Sequence, residues 1–327
     1  MSADVLCLRP EADFARLGVL PPASLTVTYL KPDDPSLTQR IKTAQALVIP
    51  AVGPKLAAAL FEGSALKLVQ VTGAGLDRLD QADMMRLGIP VANVTGNDAV
   101  AEYAVTAATL LLRRLAFADA EIKRGNYVGF RARMIADNLS GLDGITVGIV
   151  GFGVIGRATA SAFHRAGCRI CYYDPAPLMP AAAAAAAVID AEALSLDQLL
   201  QRADVVSLHV PLLPSTTGLI GTRQLARMKR DAVLIQAARG GVVDETALAE
   251  HLNAGGLGGA AVDVYSIEPP AADNPLLTLT GEAAQKLLLT PHIAGVTRQS
   301  SAFLFRSAWD NVERVLVRNE PPHNRAY

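Results

Sequence analysis

Residues 145–174 read ITVGIVGFGVIGRATASAFHRAGCRICYYD. The apolar run ITVGIV leads straight into Gly151, Gly153 and Gly156, a helical pattern follows, and a second apolar run closes on Asp174. Glycines at this spacing between a strand and a helix have separate tasks. Gly151 permits a tight turn, Gly153 lets backbone approach a pyrophosphate, and Gly156 allows close packing of helix on strand. The unpaired N–H groups at the helix start then face the phosphates. Asp174, 23 residues after Gly151, is placed to accept hydrogen bonds from an adenosine ribose diol and to repel an added phosphate. The stretch therefore predicts a dinucleotide-binding βαβ unit that prefers NAD(H) over NADP(H).

Working outward, short apolar runs alternate with helical patterns almost from end to end. Strands covered on both faces need such continuous runs, so the pattern predicts parallel sheets with crossover helices. Before the glycine loop, strands are expected at 5–8, 27–30, 46–49, 68–71 and 90–94, with helices near 37–44, 54–62 and 79–87. Residues 99–124 read as one long helix, apolar around most of its first half and so expected between domains or subunits. A polar connection is expected over 125–144. Further strands are expected at 146–150, 169–173, 205–209, 232–236, 260–264 and 287–290. Ser195 with Gln198 fits a capping box, Asp244 fits a helix cap, and the alanine run 181–187 suits a helix or spacer. A last helix follows Pro291 and can return to the first segment. The expected architecture is α/β, with two Rossmann-like parallel-sheet domains. The nucleotide-binding domain, 97–292, is inserted in a discontinuous substrate domain of flavodoxin type, 1–96 plus 293–327.

Composition limits the function classes. The chain has 327 residues, 51% hydrophobic and 19% charged, with a formal net charge of −1. Such a chain buries a substantial core, is not globally disordered, and has no overall pull toward nucleic acid or an acidic membrane. Three cysteines, Cys7, Cys168 and Cys171, are too few for a disulfide scaffold, and the last two are expected as core-strand residues rather than a redox pair. No apolar run reaches membrane-spanning length and the N-terminus lacks a signal-peptide pattern, so a soluble, cytoplasmic protein without a metal site is expected.

Three residues carry side chains suited to proton transfer and anion binding. His292 follows a predicted strand, where open α/β sheets place their sites, and imidazole exchanges protons near neutrality. Glu268 can bond the far ring nitrogen and fix its tautomer. Arg239 can clamp a carboxylate and polarise the adjacent carbonyl. The other histidines fall on helices (His164, His251), in the polar tail (His323) or at a strand end (His209).

LIQAARGGVVDETAL (234–248), AAVDVYSIEPP (260–270), LLTPHIAGVT (288–297) and LHVPLLPSTTGLI (208–220), together with the glycine loop, resemble the NAD-dependent D-2-hydroxyacid dehydrogenases, in the family's order and over nearly the whole chain. The resemblance implies reversible hydride transfer between NAD(H) and C2 of a small D-2-hydroxy or 2-oxo acid, with Arg239, Glu268 and His292 catalytic. It places on the cofactor side Gly151, Phe152, Gly153, Val154, Ile155, Gly156, Asp174, His209, Val210, Pro211, Thr217, Ala237, Ala238, Arg239, Asp263 and His292. Thr72, Gly73, Ala74 and Gly75 resemble the family's carboxylate-binding loop, joined there by Arg239 and His292, and consecutive N–H groups around the two glycines can form an anion nest. Asp77 reads as a loop-stabilising acid, and Asn93, Gly96 and Asn97 as a hinge where the chain crosses between domains. A homodimer is implied, with the 99–124 helix near the subunit contact.

Three departures refine this reading. Gln236 stands where many members carry Asn. Glu268 is retained where the formate branch carries Gln, which disfavours formate. IPAVGPK (49–55) offers Lys55 but no arginine, which disfavours a phosphorylated substrate unless Arg78, Arg298 or another subunit supplies charge. A phosphoglycerate-type dehydrogenase and an NAD-sensing, corepressor-like protein without turnover remain the alternatives.

Overall fold

The structure, a computed structural model, describes residues 3–96, 98–137 and 139–327. Asn97, expected in the hinge, lies outside them. The chain forms two compact units, 1–96 with 296–327, and 97–295.

The first unit is built on five parallel strands: β1 (Ala3–Cys7), β2 (Leu25–Tyr29), β3 (Ala46–Ile49), β4 (Leu68–Val71) and β5 (Val91–Ala92). They run in the order β2-β1-β3-β4-β5. β3 and β4 are buried along their whole length, as strands covered on both faces must be. The helix Arg298–Leu316 packs on this sheet; Phe14 meets Phe305 and Trp309 with ring centroids 4.6 and 5.0 Å apart. Buried Asn311 donates from Nδ2 to Gln70 Oε1 at 2.9 Å, joining helix and strand across 241 residues of sequence. The tail covers the free edge of β5, where Val91 N–H donates to Tyr327 O and Ala326 N–H to Val91 O.

The second unit holds β6 (Thr146–Val150), β7 (Arg169–Tyr173), β8 (Glu192–Ala193), β9 (Val205–Leu208), β10 (Val233–Gln236), β11 (Gly259–Val262) and β12 (Leu287–Leu289). The order is β12-β11-β10-β9-β6-β7-β8, all parallel, so the chain reverses direction across the sheet between β6 and β9. That is the doubly wound arrangement, and its ligand crevice lies outside the strand ends at the reversal. The Ser195 capping box and the Asp244 cap form as expected.

Several elements depart from expectation. Residues 54–62 yield only a 3-10 turn at Ala58–Leu60, because Pro54 O and Leu56 N–H are engaged by Arg78 instead of by a helix. The long helix breaks into Asp98–Leu112 and Leu115–Lys123 at Arg114, whose φ is +50°. The first piece packs on the helix Val154–Arg165 and on β10, β11 and β12 of its own unit, whereas the second buries none of its residues. The polar stretch 125–144 contains a helix, Tyr127–Ala136, because Phe130 packs edge-on against Phe117 at 5.0 Å. β8 and the short helix Glu11–Ala15 were not anticipated. Residues 293–295 fall with the second unit rather than the first, since Asp263 accepts hydrogen bonds from Ile293 and Ala294 N–H. All three cysteines are buried and free; Cys168 lies just before β7 rather than in it.

Candidate active site

In the second unit, β10, β11 and β12 are neighbours in one parallel sheet, so the loops that leave them emerge along one edge. Arg239 follows β10, Glu268 follows β11 and His292 follows β12. His292 Nδ1 lies 2.8 Å from Glu268 Oε2. The ring and the carboxylate are each about 30% exposed (30% and 28%), so the pair borders solvent. Glu268 Oε1 accepts from Tyr265 N–H at 3.1 Å, which orients the carboxylate toward the ring.

The loop bearing His292 is held by Asp263, 1% exposed. Its Oδ1 accepts from Thr290 Oγ1 at 2.6 Å and Ile293 N–H at 2.8 Å, and its Oδ2 from Ala294 N–H at 2.8 Å. His292 N–H donates to the Asp263 carbonyl at 2.8 Å, and the histidine adopts φ +54°, a left-handed backbone that needs such external support. Thr290 gives its one proton to Asp263, so Tyr103 must donate to Thr290 Oγ1 across their 2.7 Å contact. Burial raises the Tyr103 hydroxyl to about 12, keeping it a neutral donor. Asp263, expected on the cofactor side, is thus occupied with protein groups. Tyr103 and Thr290 were missed, since only packing of the helix Asp98–Leu112 on β12 brings them together.

Arg239 is held by its neighbours. Buried Gln236 donates from Nε2 to Arg239 O at 2.8 Å and accepts from Ala238 N–H at 3.3 Å. Arg239 Nη1 donates to Ala238 O at 2.7 Å. Gly240 must lack a side chain, because a Cβ there would collide with the Tyr265 carbonyl. That contact presses the Arg239 loop against the loop that carries Glu268. Glu245 fixes the latter from outside, accepting from Ser266 N–H at 2.6 Å, Ser266 Oγ at 2.8 Å and Asn274 Nδ2 at 2.6 Å. Nothing local in the sequence marks Glu245 for this role, since its partners lie 21 and 29 residues away.

The glycine loop fits a dinucleotide. Gly151, at φ +92°, lies against the His209 carbonyl at the β6/β9 reversal, and a Cβ at Gly156 would strike Gly151 O. At Gly153 nothing lies within 4 Å of a notional Cβ, so the backbone is open to approach. Val154 and Ile155 begin a 12-residue helix, whose first-turn N–H groups have no intrahelical acceptor. Asp174 accepts from Phe152 N–H at 2.8 Å on one oxygen and from Ala176 N–H at 3.0 Å on the other, leaving each oxygen a second lone pair. His209 Nε2 lies 2.8 Å from Ser207 Oγ, and burial pushes the ring down to about 4. Val210 is buried, Pro211 exposed. Buried Thr216 ties their turn, donating to Pro211 O at 2.6 Å and accepting from Leu213 N–H at 2.8 Å, while exposed Thr217 bonds only Leu213 O. Ala237 and buried Ala238 lead from β10 into Arg239.

In the first unit, Thr72 to Gly75 leave the end of β4. Thr72 N–H and Oγ1 both donate to Ile49 O, at 2.8 and 3.2 Å. The carbonyls of Gly73 and Ala74 accept from Val94 N–H and Asn93 Nδ2 at 3.0 and 2.8 Å. The N–H groups of Gly73, Ala74 and Gly75 have no partner among the described residues. Lys55 is paired with Asp80 at 2.9 Å, and Arg298 is exposed at the head of its helix.

These features define an oxidoreductase built on a dinucleotide-binding domain, and comparison with known proteins agrees. The family model for the D-isomer specific 2-hydroxyacid dehydrogenase NAD-binding domain matches residues 105–294. The chain is 32% identical over 284 residues to a glycerate dehydrogenase of Methylorubrum extorquens, covering 86% of this chain and 85% of that protein. It is 33% identical over 299 residues to a glyoxylate reductase of Korarchaeum cryptofilum, covering 90% and 86%. It spans about half the length, 48%, of a D-3-phosphoglycerate dehydrogenase of Archaeoglobus fulgidus at 33% identity over 81% of this chain. The holo form of Rhodotorula graminis D-mandelate dehydrogenase superposes with a TM-score of 0.83 at 25% identity, covering 100% of this chain and 98% of that one. The chain belongs to the D-isomer specific 2-hydroxyacid dehydrogenase family. It is an NAD-dependent oxidoreductase of 2-hydroxy and 2-oxo acids. Among the described residues, no helix is long and apolar enough to cross a membrane.

Proposed function

We propose that the protein interconverts a small D-2-hydroxy acid and its 2-oxo acid, with His292 as acid and base, Glu268 as its orienting partner and Arg239 as the carboxylate clamp. The His292–Glu268 contact of 2.8 Å carries this reading. In the reducing direction the Gly151–Gly156 loop and Asp174 would hold NADH, which would supply the hydride that C2 receives. Protonated His292 gives its ring proton to the developing alkoxide, and Glu268 stabilises the charged ring and holds its orientation. In the 97–295 unit Arg239, and in the 1–96 unit the N–H groups of Gly73 to Gly75, each offer donors suited to a substrate carboxylate. Asp174 receives the ribose hydroxyls and disfavours a phosphate there. The 1–96 and 296–327 unit is assigned to substrate and the 97–295 unit to cofactor. Leu115, Ile122, Tyr127, Val128 and Ile135, exposed on consecutive helices, support a homodimer built on that surface.

The test is consumption of NADH and NADPH with a panel of 2-oxo acids, including glyoxylate, hydroxypyruvate, pyruvate, larger aliphatic and aromatic acids and phosphohydroxypyruvate. NADH turnover that falls by about 10²–10⁴ in His292→Ala is expected. Asp174→Ser should narrow the preference for NADH. NADH binding without turnover on any acid would replace the enzymatic reading with a sensor.

A further inference from the structure

Arg78 is 2% exposed and sits three residues beyond Gly75. Its Nε donates to Pro54 O at 2.9 Å and its Nη1 to Pro50 O at 3.2 Å, while its own carbonyl accepts from Leu56 N–H at 2.8 Å. Those three groups all belong to the loop leaving β3. Gly53, at φ +132°, covers the guanidinium, and a Cβ there would stand 3.3 Å from Cζ and Nε. Nη2 is buried with no hydrogen-bond partner, and no carboxylate among the described residues pairs with the side chain. Burial holds the group below its ordinary range, yet a guanidinium stays charged at any physiological pH.

A buried cation without a counter-ion is strongly unfavourable, and two carbonyls alone do not neutralise it. A neutral donor such as glutamine could tie the loop without that cost. The charge therefore needs a purpose, and its surroundings supply one. The adjacent turn presents the three unpaired N–H groups of Gly73 to Gly75, with both glycines buried. Three residues of chain bound the Cα separation of Gly75 and Arg78 to about 11 Å, close enough for weakly screened attraction through protein. Positive charge and N–H dipoles thus gather here, while Asp77, the acid between Gly75 and Arg78, is exposed.

We propose that Arg78 is a specificity-determining positioning residue: its uncompensated charge makes the Gly73–Gly75 turn selective for a carboxylate, and its fork fixes the Pro50–Leu56 loop beside that turn. This rests on the assignment of that turn to the substrate carboxylate. Arg78 need not touch substrate to act, because it sets the potential and the wall of the site.

The experiment compares kcat/KM for the best 2-oxo acid of the panel with that for its methyl ester, which keeps shape and loses charge. In Arg78→Met the acid-to-ester preference should fall about tenfold or more, with KM for the acid carrying the change and NADH affinity unmoved. Arg78→Lys, which keeps the charge, should retain most of the preference. A purely structural role would depress acid and ester alike. Should Arg78→Met not fold, Gly53→Asp and Gly53→Asn settle the matter, being matched in backbone strain and differing in charge. The Asp variant should lose acid preference relative to the Asn variant. Equal preference in that pair, or an unchanged preference in Arg78→Met, overturns the proposal while wild-type turnover leaves the enzymatic reading standing. A wild type silent with every acid removes the reading on which it rests.

Discussion

Asp263 holds the chain on both sides of His292: its carboxylate accepts from Thr290 Oγ1, Ile293 N–H and Ala294 N–H, and its carbonyl accepts from His292 N–H. Replacing an acceptor-only carboxylate by an amide puts a donor against donors. Asp263→Asn should cost about 2–3 kcal/mol of stability, because a buried charge-assisted network loses its acceptor. kcat should fall although His292 and Glu268 are intact. Denaturant midpoints and steady-state rates with the best acid check both.

Gly240 and the Tyr265 carbonyl are in direct backbone contact. Neither group can yield as a flexible side chain would. Gly240→Ala should destabilise the second unit by about 3 kcal/mol or more through overpacking, and should displace Arg239 relative to Glu268. A variant with wild-type melting temperature and activity would contradict that contact.

Gln236 satisfies Arg239 O and Ala238 N–H at once. Gln236→Leu preserves bulk and orphans both, at a cost of about 1–3 kcal/mol per buried group. The substrate KM should rise by about tenfold as the Arg239 loop loosens, while NADH affinity changes less. Titration of both ligands separates these effects.

His209 provides a pH signature. Burial lowers its pKa from 6.5 to about 4. Between those values the unfolded chain takes up a proton that the folded ring refuses, so the unfolded state binds more protons and stability rises with pH across the window. The contribution is fully present above 6.5 and lost as pH falls toward 4. Urea midpoints from pH 4.5 to 7 should climb in the wild type, and His209→Asn should flatten part of that climb.

The glycine loop, its flanking strands and helix, Asp174 and the helix caps were legible because each depends on residues close in sequence. Spacing alone fixes a turn, a cap or a strand's burial on both faces. The Glu268–His292 pair was expected from the sequence and lies at 2.8 Å, but the groups that hold its two loops in place were not legible there. What only the tertiary structure decided are the contacts between distant segments: Asp263 with residues 290–294, Tyr103 with Thr290, Gly240 with Tyr265, Asn311 with Gln70, and Arg78 with Pro50 and Pro54. The break at Arg114 and the helix after Asn126 belong with them, since packing overrode the local pattern there. Local sequence sets which backbone conformations are cheap. Which buried donor meets which acceptor is settled only when the sheets bring remote loops to one edge.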